Sequence, residues 1–391
     1  MENVRYQVCD DSLIINLSGR VDSGNAQDVE EAIKEVLGAS PSDAITLDLD
    51  DLEYISSAGL RVILRLAKSA GSFKIINASA PVYEIFDMTG FTEMFEITKA
   101  FRRISVDGCE VIGRGANGAV YRIDPDTIVK VYLSPDSLDD IRRERELART
   151  AFVKGIPTAI PYDVVRVDDG YGSVYELLNA RTLGQMLSSG EITVDEAAKL
   201  SIDLLKIIHK TEVDPNSMPS ERDIVLDWVD YLKGHLEDGL WQKLHDLVAA
   251  VPEDNHLIHG DYHLKNIMVQ NGETLLIDMD TLCHGNPIFE LASIYNAYVG
   301  FSQCDPSVVL KFQGFDEETA YELWHKSLVL YLDTTDEERI RSVEEKAAIV
   351  GQTRLLRRTL RRDSDPAMVA ATKARLEELV PKTDTLLLST R

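Results

Sequence analysis

The sequence predicts an α/β domain followed by a larger α+β domain. Apolar, strand-like runs alternate with amphipathic helical segments up to about residue 103, and short strands separated by turns begin at Cys109. Beyond about residue 182 the pattern is mainly helical. A chain of 391 residues is also longer than one hydrophobic core normally supports, so two or three domains are expected.

Strands and helices alternate in the first region. SLIINL is a short apolar run typical of a strand, and NAQDVEEAIKEVL after it has the spacing of an amphipathic helix. ITLDL is the next strand, SSAGLRVILRLAKSAG is a helix that stops at Gly71, and FKIIN is a further strand. The helix PVYEIFDMTG has Pro81 in its first turn and ends at Gly90. We therefore expect a mixed sheet with helices.

The second region opens with a predicted antiparallel sheet. CEVIG, a glycine-rich loop, AVYRI, the turn DPD and TIVKVYL follow one another. The charged helix LDDIRRERELARTAFVKG comes next, and YDVVRV and SVYELL form a hairpin-like pair around DDGYG. This change of pattern puts the domain boundary near residues 103 to 108, with domains over 1–103 and 108–391.

The formal net charge of −25 at pH 7 bears on the partners of the chain. A nucleic-acid backbone would on average be repelled, so we expect no nucleic-acid partner, whereas a cationic substrate is compatible with the acidic balance. The best candidate for a basic patch reads as one face of a solvated helix and consists of Arg354, Arg357, Arg358, Arg361 and Arg362. The N-terminus lacks a signal-peptide pattern, and no stretch reaches about 18 apolar residues. We expect a cytoplasmic protein without a membrane partner.

The segment GRGANGAVYR is the first motif that carries chemistry. Its Gly113, Gly115, Gly118 and Val120 stand in a GxGxxGxV arrangement, and such glycines let a strand-turn-strand loop approach phosphates closely. The loop joins two strands and not a strand and a helix, which excludes the dinucleotide-binding fingerprint. These four residues are therefore candidates for nucleotide binding.

Lys130 lies inside the next predicted strand, in IVKVY. A strand lysine is usually an edge or snorkelling residue, but here the following helix bears Glu144 and Glu146. Kinases use a strand lysine held by a helix glutamate to position the α- and β-phosphates. We choose Glu144 as the partner and keep Glu146 as the alternative.

The segment LIHGDYHLKNIMV, followed by the turn QNGE and by TLLIDMD, is decisive. It holds Asp261, then Asn266 five residues on, and Asp278 at the end of an apolar strand. Phosphoryl transfer needs a carboxylate to orient the attacking hydroxyl, and oxygen ligands that hold Mg²⁺ across the nucleotide phosphates. Asp261 fits the catalytic role, and Asn266 and Asp278 fit the metal role. Each could also be a turn or cap residue, but the ordered set of motifs favours a kinase.

On these motifs, residues 108–391 resemble the aminoglycoside phosphotransferase and choline kinase branch of the protein-kinase-like fold. HGDYHLKN matches that branch's catalytic loop, and IDMD stands where protein kinases have DFG. The resemblance implies two lobes, over about 108–178 and 182–391, with ATP and Mg²⁺ in the cleft between them. It also suggests that His263 shapes the loop, although a packed histidine is equally plausible, and that Asp280 assists at the metal. Glu290 stands where the branch often has aspartate.

Residues 1–103 resemble a STAS domain, the fold of anti-sigma-factor antagonists. The resemblance rests on LSGRVDSGNAQDVEEAI, DLEYISSAGLRVIL and VYEIFDMTGFTEMFEI. In that family a partner kinase phosphorylates a serine at a strand-to-helix junction, and alignment on Gly59 and Leu60 puts Ser57 there. Two departures exist: Ile55 and Ser56 replace a common Met-Asp pair, and Ala58 replaces a second hydroxyl residue. The alternative is that Ser56 or Ser57 only caps the helix.

The sequence thus predicts an ATP- and magnesium-dependent phosphotransferase whose acceptor is a small-molecule hydroxyl, with the STAS domain as sensor or docking unit for a protein partner. One alternative is a protein-serine kinase that acts on its own or another STAS domain. The other is a non-catalytic scaffold that binds nucleotide and switches partners. Intact Lys130, Asp261, Asn266 and Asp278 argue against the scaffold.

Overall fold

The computed structural model divides the chain into two compact units. It describes residues 3–9, 12–115, 118–134, 138–178, 180–303, 305–362 and 365–388. One unit contains Met1–Ser105 and Val164–Asp169, and the other contains Val106–Asp163 and Gly170–Arg391. Residues 164–169 lie inside the predicted second domain, 108–391. They group with the first unit because Val165–Val167 pair in parallel with Arg102–Ile104.

The first unit contains a mixed sheet and helices. Its strands are β1 (Val4–Cys9), β2 (Ser12–Leu17), β3 (Gly19–Val21), β4 (Ala44–Asp48), β5 (Leu52–Ile55), β6 (Ser72–Ala78), β7 (Glu96–Lys99) and β8 (Arg102–Ile104). Its helices are α1 (Ala26–Ala39), α2 (Ser57–Ser69), α3 (Ala80–Met88) and α4 (Phe91–Met94).

The main sheet of this unit has the order β1-β2-β4-β6-β7. β1 and β2 are antiparallel, and each later neighbour pairs in parallel. Alternate residues of β2 (Leu13, Ile15 and Leu17) are buried, as a strand with one face on the core requires. The mixed sheet and the helices predicted from the sequence are therefore confirmed.

The second unit begins with strands and continues mainly with helices. Its strands are β9 (Glu110–Arg114), β10 (Gly118–Asp124), β11 (Thr127–Tyr132), β12 (Pro161–Val167, of which the C-terminal part groups with the first unit), β13 (Gly170–Glu176), β14 (Arg181–Thr182), β15 (Leu257–Ile258), β16 (Ile267–Gln270), β17 (Glu273–Leu276) and β18 (Cys283–His284). Its α-helices are α5 (Leu138–Val153), α6 (Leu183–Ser188), α7 (Val194–Ile208), α8 (Glu221–Tyr231), α9 (Asp238–Ala249), α10 (Pro287–Tyr295), α11 (Ser307–Gln313), α12 (Glu317–Leu332), α13 (Glu337–Arg361) and α14 (Pro366–Leu379).

The predicted antiparallel sheet is present. β10 pairs antiparallel with both β9 and β11, and β11 pairs antiparallel with β13. The region after residue 182 is mainly helical, as predicted, but it also contains the short hairpin β16–β17, which pairs with β14. This hairpin joins the two motifs HGDYHLKN and IDMD, so both of its ends lead into candidate site residues.

The helix α10 is buried along its whole length, and α13 packs against its end. The amide of Asn296, at the end of α10, donates to the carbonyl of Gly351 on α13 at 2.9 Å. A Cβ atom at Gly351 would lie 2.7 Å from the Asn296 side chain and 3.0 Å from Tyr295. Glycine therefore allows α13 to approach α10 closely, which brings the following turns of α13 beside the HGD motif. No helix in the described ranges has the length and apolar character needed to cross a bilayer.

Candidate functional site

Lys130 on β11 joins two carboxylates. Its Nζ atom lies 2.9 Å from Oε1 of Glu144 on α5 and 2.9 Å from Oδ1 of Asp278, which follows β17. The side chains of Lys130 and Glu144 are 17% and 5% exposed, whereas that of Asp278 is 43% exposed. Burial alone would lower the pKa of Lys130, but the charges of Asp278 and Glu144 outweigh it and raise the pKa. The ammonium group is thus charged and has one buried and one accessible partner.

Glu144, and not Glu146, contacts the lysine. Its carboxylate also accepts hydrogen bonds from the hydroxyls of Tyr132 at 2.5 Å and Tyr175 at 3.2 Å. Glu146 lies on the exposed side of α5, near Arg149. The two tyrosine contacts could not be predicted from the sequence, because a buried tyrosine hydroxyl usually has a hydrogen-bond partner but the sequence does not show which group that partner is.

The glycine-rich loop connects β9 and β10, and its Ala116 and Asn117 lie outside the described residues. Gly113 faces half-buried Val120 across the strand pair, and Gly115 donates its N–H to the carbonyl of Gly118 at 2.9 Å. Among the described residues, no atom lies within 4 Å of a Cβ placed at Gly115, so the described part of the loop leaves open space there. A Cβ at Gly118 would lie 2.1 Å from the carbonyl oxygen of Val131, so that glycine is required by strand packing.

The HGD segment and the IDMD segment are held together through His259. Its Nδ1 atom accepts the N–H of Asp261 at 3.3 Å, and its Nε2 atom lies 3.2 Å from the carbonyl oxygen of Ile277. These contacts assign the ring proton to Nε2. The side-chain amide of buried Asn266 donates to the carbonyl of Asp261 at 2.9 Å, which leaves its side-chain oxygen available as a ligand. The backbone of Asn266 accepts from the N–H of Ile277 at 2.9 Å, next to Asp278.

Asp261 is surrounded by positive or potentially positive groups. Its Oδ2 lies 3.5 Å from Nε2 of His263, and its Oδ1 lies 3.7 Å from Nη2 of Arg354. Burial acts to raise the pKa of Asp261, but His263, Arg354 and His259 together lower it to about 2. Asp261 is consequently ionised at neutral pH and can accept a hydrogen bond from a hydroxyl group.

Glu290 on α10 fixes the backbone that carries Asp261. Its fully buried carboxylate accepts the N–H of His259 at 2.5 Å and the N–H of Gly260 at 3.1 Å. Gly260 has a φ of +81°, and a Cβ there would lie 2.6 Å from the carbonyl oxygen of Thr281. Glutamate thus replaces the expected aspartate as the buried acceptor for this loop, and the HGD glycine is required by its conformation.

Asp278 and Asp280 form an acidic pair at the end of the hairpin. Asp278 adopts a left-handed backbone, with a φ of +64°, which is uncommon for a residue other than glycine. Burial and the charge of Asp278 raise the pKa of Asp280 to about 6. In the part of the chain that the structure describes, no group of three or more His, Cys, Asp or Glu side chains is arranged to hold a metal by itself.

Arg354 on α13 is the site residue that the sequence did not indicate. We had interpreted it as part of a solvated helix face, but its Nη1 atom donates to the carbonyl of Gly260 at 2.9 Å and to Oγ of Ser293 at 3.2 Å. The signal available in the sequence was the spacing of Arg354 and Arg358 on one face of a helix. Nothing in that spacing indicated that the face lies against the HGD motif.

Ser57 occupies the start of α2 in the first unit. The side chain of Ser56 caps this helix by accepting the N–H of Gly59, so Ser57 is the first helical residue and is exposed. A Cβ at Gly59 would lie 2.7 Å from Ile55 and 2.8 Å from Val21, which explains why glycine stands there. The capping role is therefore filled by Ser56.

Comparisons with known proteins identify both regions. The chain matches the phosphotransferase enzyme family over residues 108–324 and the STAS domain over residues 3–104. BtrV of Bordetella bronchiseptica, named as an anti-sigma factor antagonist, is 35% identical over 95 residues, which cover 23% of this chain and 81% of that protein. The anti-sigma F factor antagonist of Paenibacillus polymyxa is 29% identical over 89 residues, which cover 22% of this chain and 76% of that protein.

A crystal structure of a thermostable mutant of aminoglycoside phosphotransferase APH(4)-Ia, in ternary complex with AMP-PNP and hygromycin B, has a similar fold. The match has a TM-score of 0.50 and 14% identity, and it covers 71% of this chain and 95% of that one. At this identity the likeness concerns the fold alone, and it agrees with the predicted kinase-like α+β domain. The family match spans more than half of the sequence. The chain therefore belongs to the phosphotransferase enzyme family and carries a STAS domain in front of its phosphotransferase region.

Proposed function

We propose that this phosphotransferase moves the γ-phosphoryl group of ATP, bound with Mg²⁺, to the hydroxyl group of a small molecule. The observation that carries the proposal is the contact of Lys130 with both Glu144 and Asp278, in the same unit as the linked pair of Asp261 and Asn266. A buried lysine–glutamate pair and an accessible aspartate are the parts that such transfer requires. The crystal structure of APH(4)-Ia with a similar fold is a ternary complex with AMP-PNP and hygromycin B, which supports a nucleotide donor and a small acceptor.

The nucleotide would lie between the glycine-rich loop and Lys130. Gly113, Gly115 and Gly118 offer backbone that phosphates can approach, and the open space beside Gly115 supports this role. Half-buried Val120 provides apolar contact for the nucleotide. Lys130 would bind the phosphates while Glu144 holds the ammonium group in place.

Asn266 and Asp278 would hold the magnesium ion. Mg²⁺ is usually bound by one or two protein oxygens together with substrate phosphates and water, so a larger cluster of protein ligands is not needed. The raised pKa of Asp280 indicates that negative charge is crowded here, and a divalent cation would relieve it. The ion supplies charge neutralisation at the phosphates, and Asp280 is a candidate for further support.

Asp261 would orient the acceptor hydroxyl. A carboxylate with a pKa of about 2 is a weak base, so its main contribution is a hydrogen bond that aligns the attacking oxygen. Proton transfer to it can follow late, because little bond formation to the nucleophile is needed in a loose phosphoryl-transfer transition state.

Calorimetry on two variants tests these assignments. We expect Asp261→Asn to lower turnover by roughly 100-fold while nucleotide affinity stays near that of the wild type. Asp278→Ala should weaken magnesium-dependent ATP binding by roughly tenfold or more, because a metal ligand is lost. Equal loss of nucleotide binding in both variants would show that the two roles are misassigned. If neither ATP nor GTP with Mg²⁺ binds the purified chain, the proposal fails.

We further propose that the STAS domain is regulatory and that Ser57 is its phosphate acceptor. The phosphate would come either from this chain, acting as a protein-serine kinase, or from a partner kinase. Ser57 is exposed at a helix start, where free N–H groups and the helix dipole favour a phosphate, while Ser56 performs the capping. Phosphosite mapping after incubation with ATP and Mg²⁺ tests this, with Ser57→Ala and Asp261→Asn as controls. Label at Ser57 that is absent from Asp261→Asn would indicate self-phosphorylation. If Ser57 stays unlabelled both in the purified chain alone and after cell extract is added as a source of kinase, the proposal is contradicted.

A further inference from the structure

We propose that the acceptor of this phosphotransferase is an anion, a hydroxyl compound that also bears a phosphate or carboxylate group. This inference rests on the proposed function and names its substrate class. It is carried by a surface that we call the arginine stripe. The stripe consists of Arg354 and Arg358, in the C-terminal part of α13, and Arg362, which caps that helix; they are spaced four residues apart. Residues with this spacing lie on the same face of a helix.

The first step is the position of Arg354 beside the candidate catalytic residue. Its Nη1 atom is fixed by the carbonyl of Gly260 and the hydroxyl of Ser293. Its Nη2 atom lies 3.7 Å from Oδ1 of Asp261, which is too far for a hydrogen bond. Arg354 therefore places Nη2 close to Asp261, the residue beside which an acceptor hydroxyl must lie for transfer. A guanidinium held in this way is suited to a phosphate or a carboxylate.

The second step concerns Arg358, one turn further along. Its guanidinium lies 5.1 Å from the ring centre of Phe301, and Arg354 lies 5.5 Å from the ring centre of Trp228. The charged neighbours that act on Arg358 are Arg362, Arg354 and Asp261, and no ion pair joins Arg358 to a carboxylate among the described side chains. Burial, followed by the charges of Arg362 and Arg354, lowers the pKa of Arg358. Positive charge thus accumulates on this face of α13, and Asp261 is the acidic neighbour of both Arg354 and Arg358.

The clustering of positive charge in the arginine stripe is unfavourable when no ligand is bound. Like charges four residues apart destabilise a helix. Arg358, in the last turn of α13, gains from the helix dipole, whereas Arg354 lies too far from the C-terminus to do so. By contrast, Arg357, on the neighbouring face, has Asp227 as an acidic neighbour. The net charge of the whole chain is −25, so a local surplus of arginine is not explained by composition. An anionic ligand would neutralise the arginine stripe and restore the balance.

The chemistry of the acceptor follows from these contacts. A cationic compound such as an aminoglycoside would be repelled by Arg354 and Arg358, whereas a phosphate or carboxylate would form charge-assisted hydrogen bonds with them. The acidic balance of the whole sequence is compatible with a cationic substrate, but the local charge at the arginine stripe is positive and favours an anionic one. The acceptor hydroxyl would be presented to Asp261 by an anionic group held one helical turn away.

The test is anion binding to the full chain with its nucleotide subsite filled. AMP-PNP and Mg²⁺ are first titrated by calorimetry, which tests the proposed function separately. Inorganic phosphate is then titrated at constant ionic strength against the saturated protein, with the tryptophan fluorescence and the calorimetric heat as readouts. The variants are Arg358→Gln, Arg358→Lys and, as a matched control, Arg341→Gln, which changes an exposed arginine on an earlier turn of the same helix.

We expect saturable phosphate binding in the wild type and in Arg341→Gln, and roughly tenfold or greater weakening in Arg358→Gln. Arg358→Lys should be intermediate, because it keeps the charge and loses the bidentate geometry. Unchanged AMP-PNP affinity in each variant shows that the fold is intact. The inference is overturned if nucleotide binds but phosphate does not, if all variants bind phosphate equally, or if choline or hygromycin B binds this state more tightly than phosphate does.

Discussion

Replacement of Glu144 by glutamine is the sharpest test of the network around Lys130. The substitution keeps the volume and one acceptor oxygen, but it replaces the other oxygen by an amide donor and removes the negative charge that faces the ammonium group. It can therefore accept a hydrogen bond from only one of Tyr132 and Tyr175, which donate to different oxygens of Glu144. Lys130 retains Asp278, whose side chain is 43% exposed and therefore interacts through partly solvated surroundings. The variant thus isolates the buried half of the network.

The magnitude follows from burial. A hydrogen bond that involves a charged group contributes about 1.5–3 kcal/mol, and breaking a fully buried pair costs about 3–5 kcal/mol. Because Lys130 is 17% exposed and keeps a second carboxylate, we expect the unfolding free energy of this unit to fall by about 2 kcal/mol. A less constrained lysine should also bind phosphates less well, so ATP affinity should fall by roughly tenfold.

The assay combines denaturant unfolding with calorimetric titration of ATP and Mg²⁺. Glu146→Gln is the matched control, because it makes the same change on the exposed side of the same helix. The double-mutant cycle of Glu144→Gln with Lys130→Met should give a coupling energy of roughly 1–3 kcal/mol. A coupling energy near zero, or equal effects of Glu144→Gln and Glu146→Gln, would refute the reasoning.

Two further predictions concern backbone strain and pH. Gly260→Ala should lower both stability and turnover, because a left-handed alanine costs about 1–2 kcal/mol and its Cβ would clash with the Thr281 carbonyl. Gly272→Ala is the control: its φ is +84° and no atom lies near its Cβ, so this variant should show only the cost of backbone strain. Equal effects of the two variants in unfolding and turnover assays would contradict this account. Burial raises the pKa of Glu221 from 4.5 to about 7, despite a hydrogen bond from the thiol of Cys283. Because the pKa of Glu221 is higher in the folded state, the contribution of this group to stability is present below pH 4.5 and is lost as pH rises through 7. The free energy of unfolding of the wild type should therefore fall by roughly 3 kcal/mol relative to Glu221→Gln across that pH window. Parallel pH–stability curves of the two proteins would exclude this effect of Glu221.

The motifs that could be predicted from the sequence are those whose parts are close along the chain. The glycine-rich loop, the strand around Lys130 and the segment from Asp261 to Asp278 each place their functional groups within one hairpin or one loop. In such segments residue spacing determines geometry, because the strand and turn conformations are few. The same reasoning identified α2, whereas the position of Ser57 follows from the resemblance to STAS domains.

The parts that sequence reasoning missed depend on helix packing. Arg354 reaches Gly260 from a helix that lies far along the chain, and its position depends on the close contact that Gly351 permits between α13 and α10. Periodicity indicates which face of a helix is apolar but not which element it meets. For that reason the arginines were interpreted as a solvated face, and Glu290 was noted only as a departure from the usual aspartate.

The double contact of Lys130 has a consequence for the order of events in the cleft. Without ligands, the ammonium group serves as the counter-ion of Asp278, so the aspartate is neutralised before any metal arrives. Phosphates that attract Lys130 would free Asp278 for a divalent cation, and a cation at Asp278 would free Lys130 for the phosphates. Each ligand thereby removes an internal competitor of the other, and thermodynamic reciprocity makes the enhancement equal in both directions. Because the contact with Glu144 is buried and the contact with Asp278 is accessible, the second is the one that exchanges. Nucleotide and magnesium should therefore behave as heterotropic, positively cooperative ligands of this enzyme.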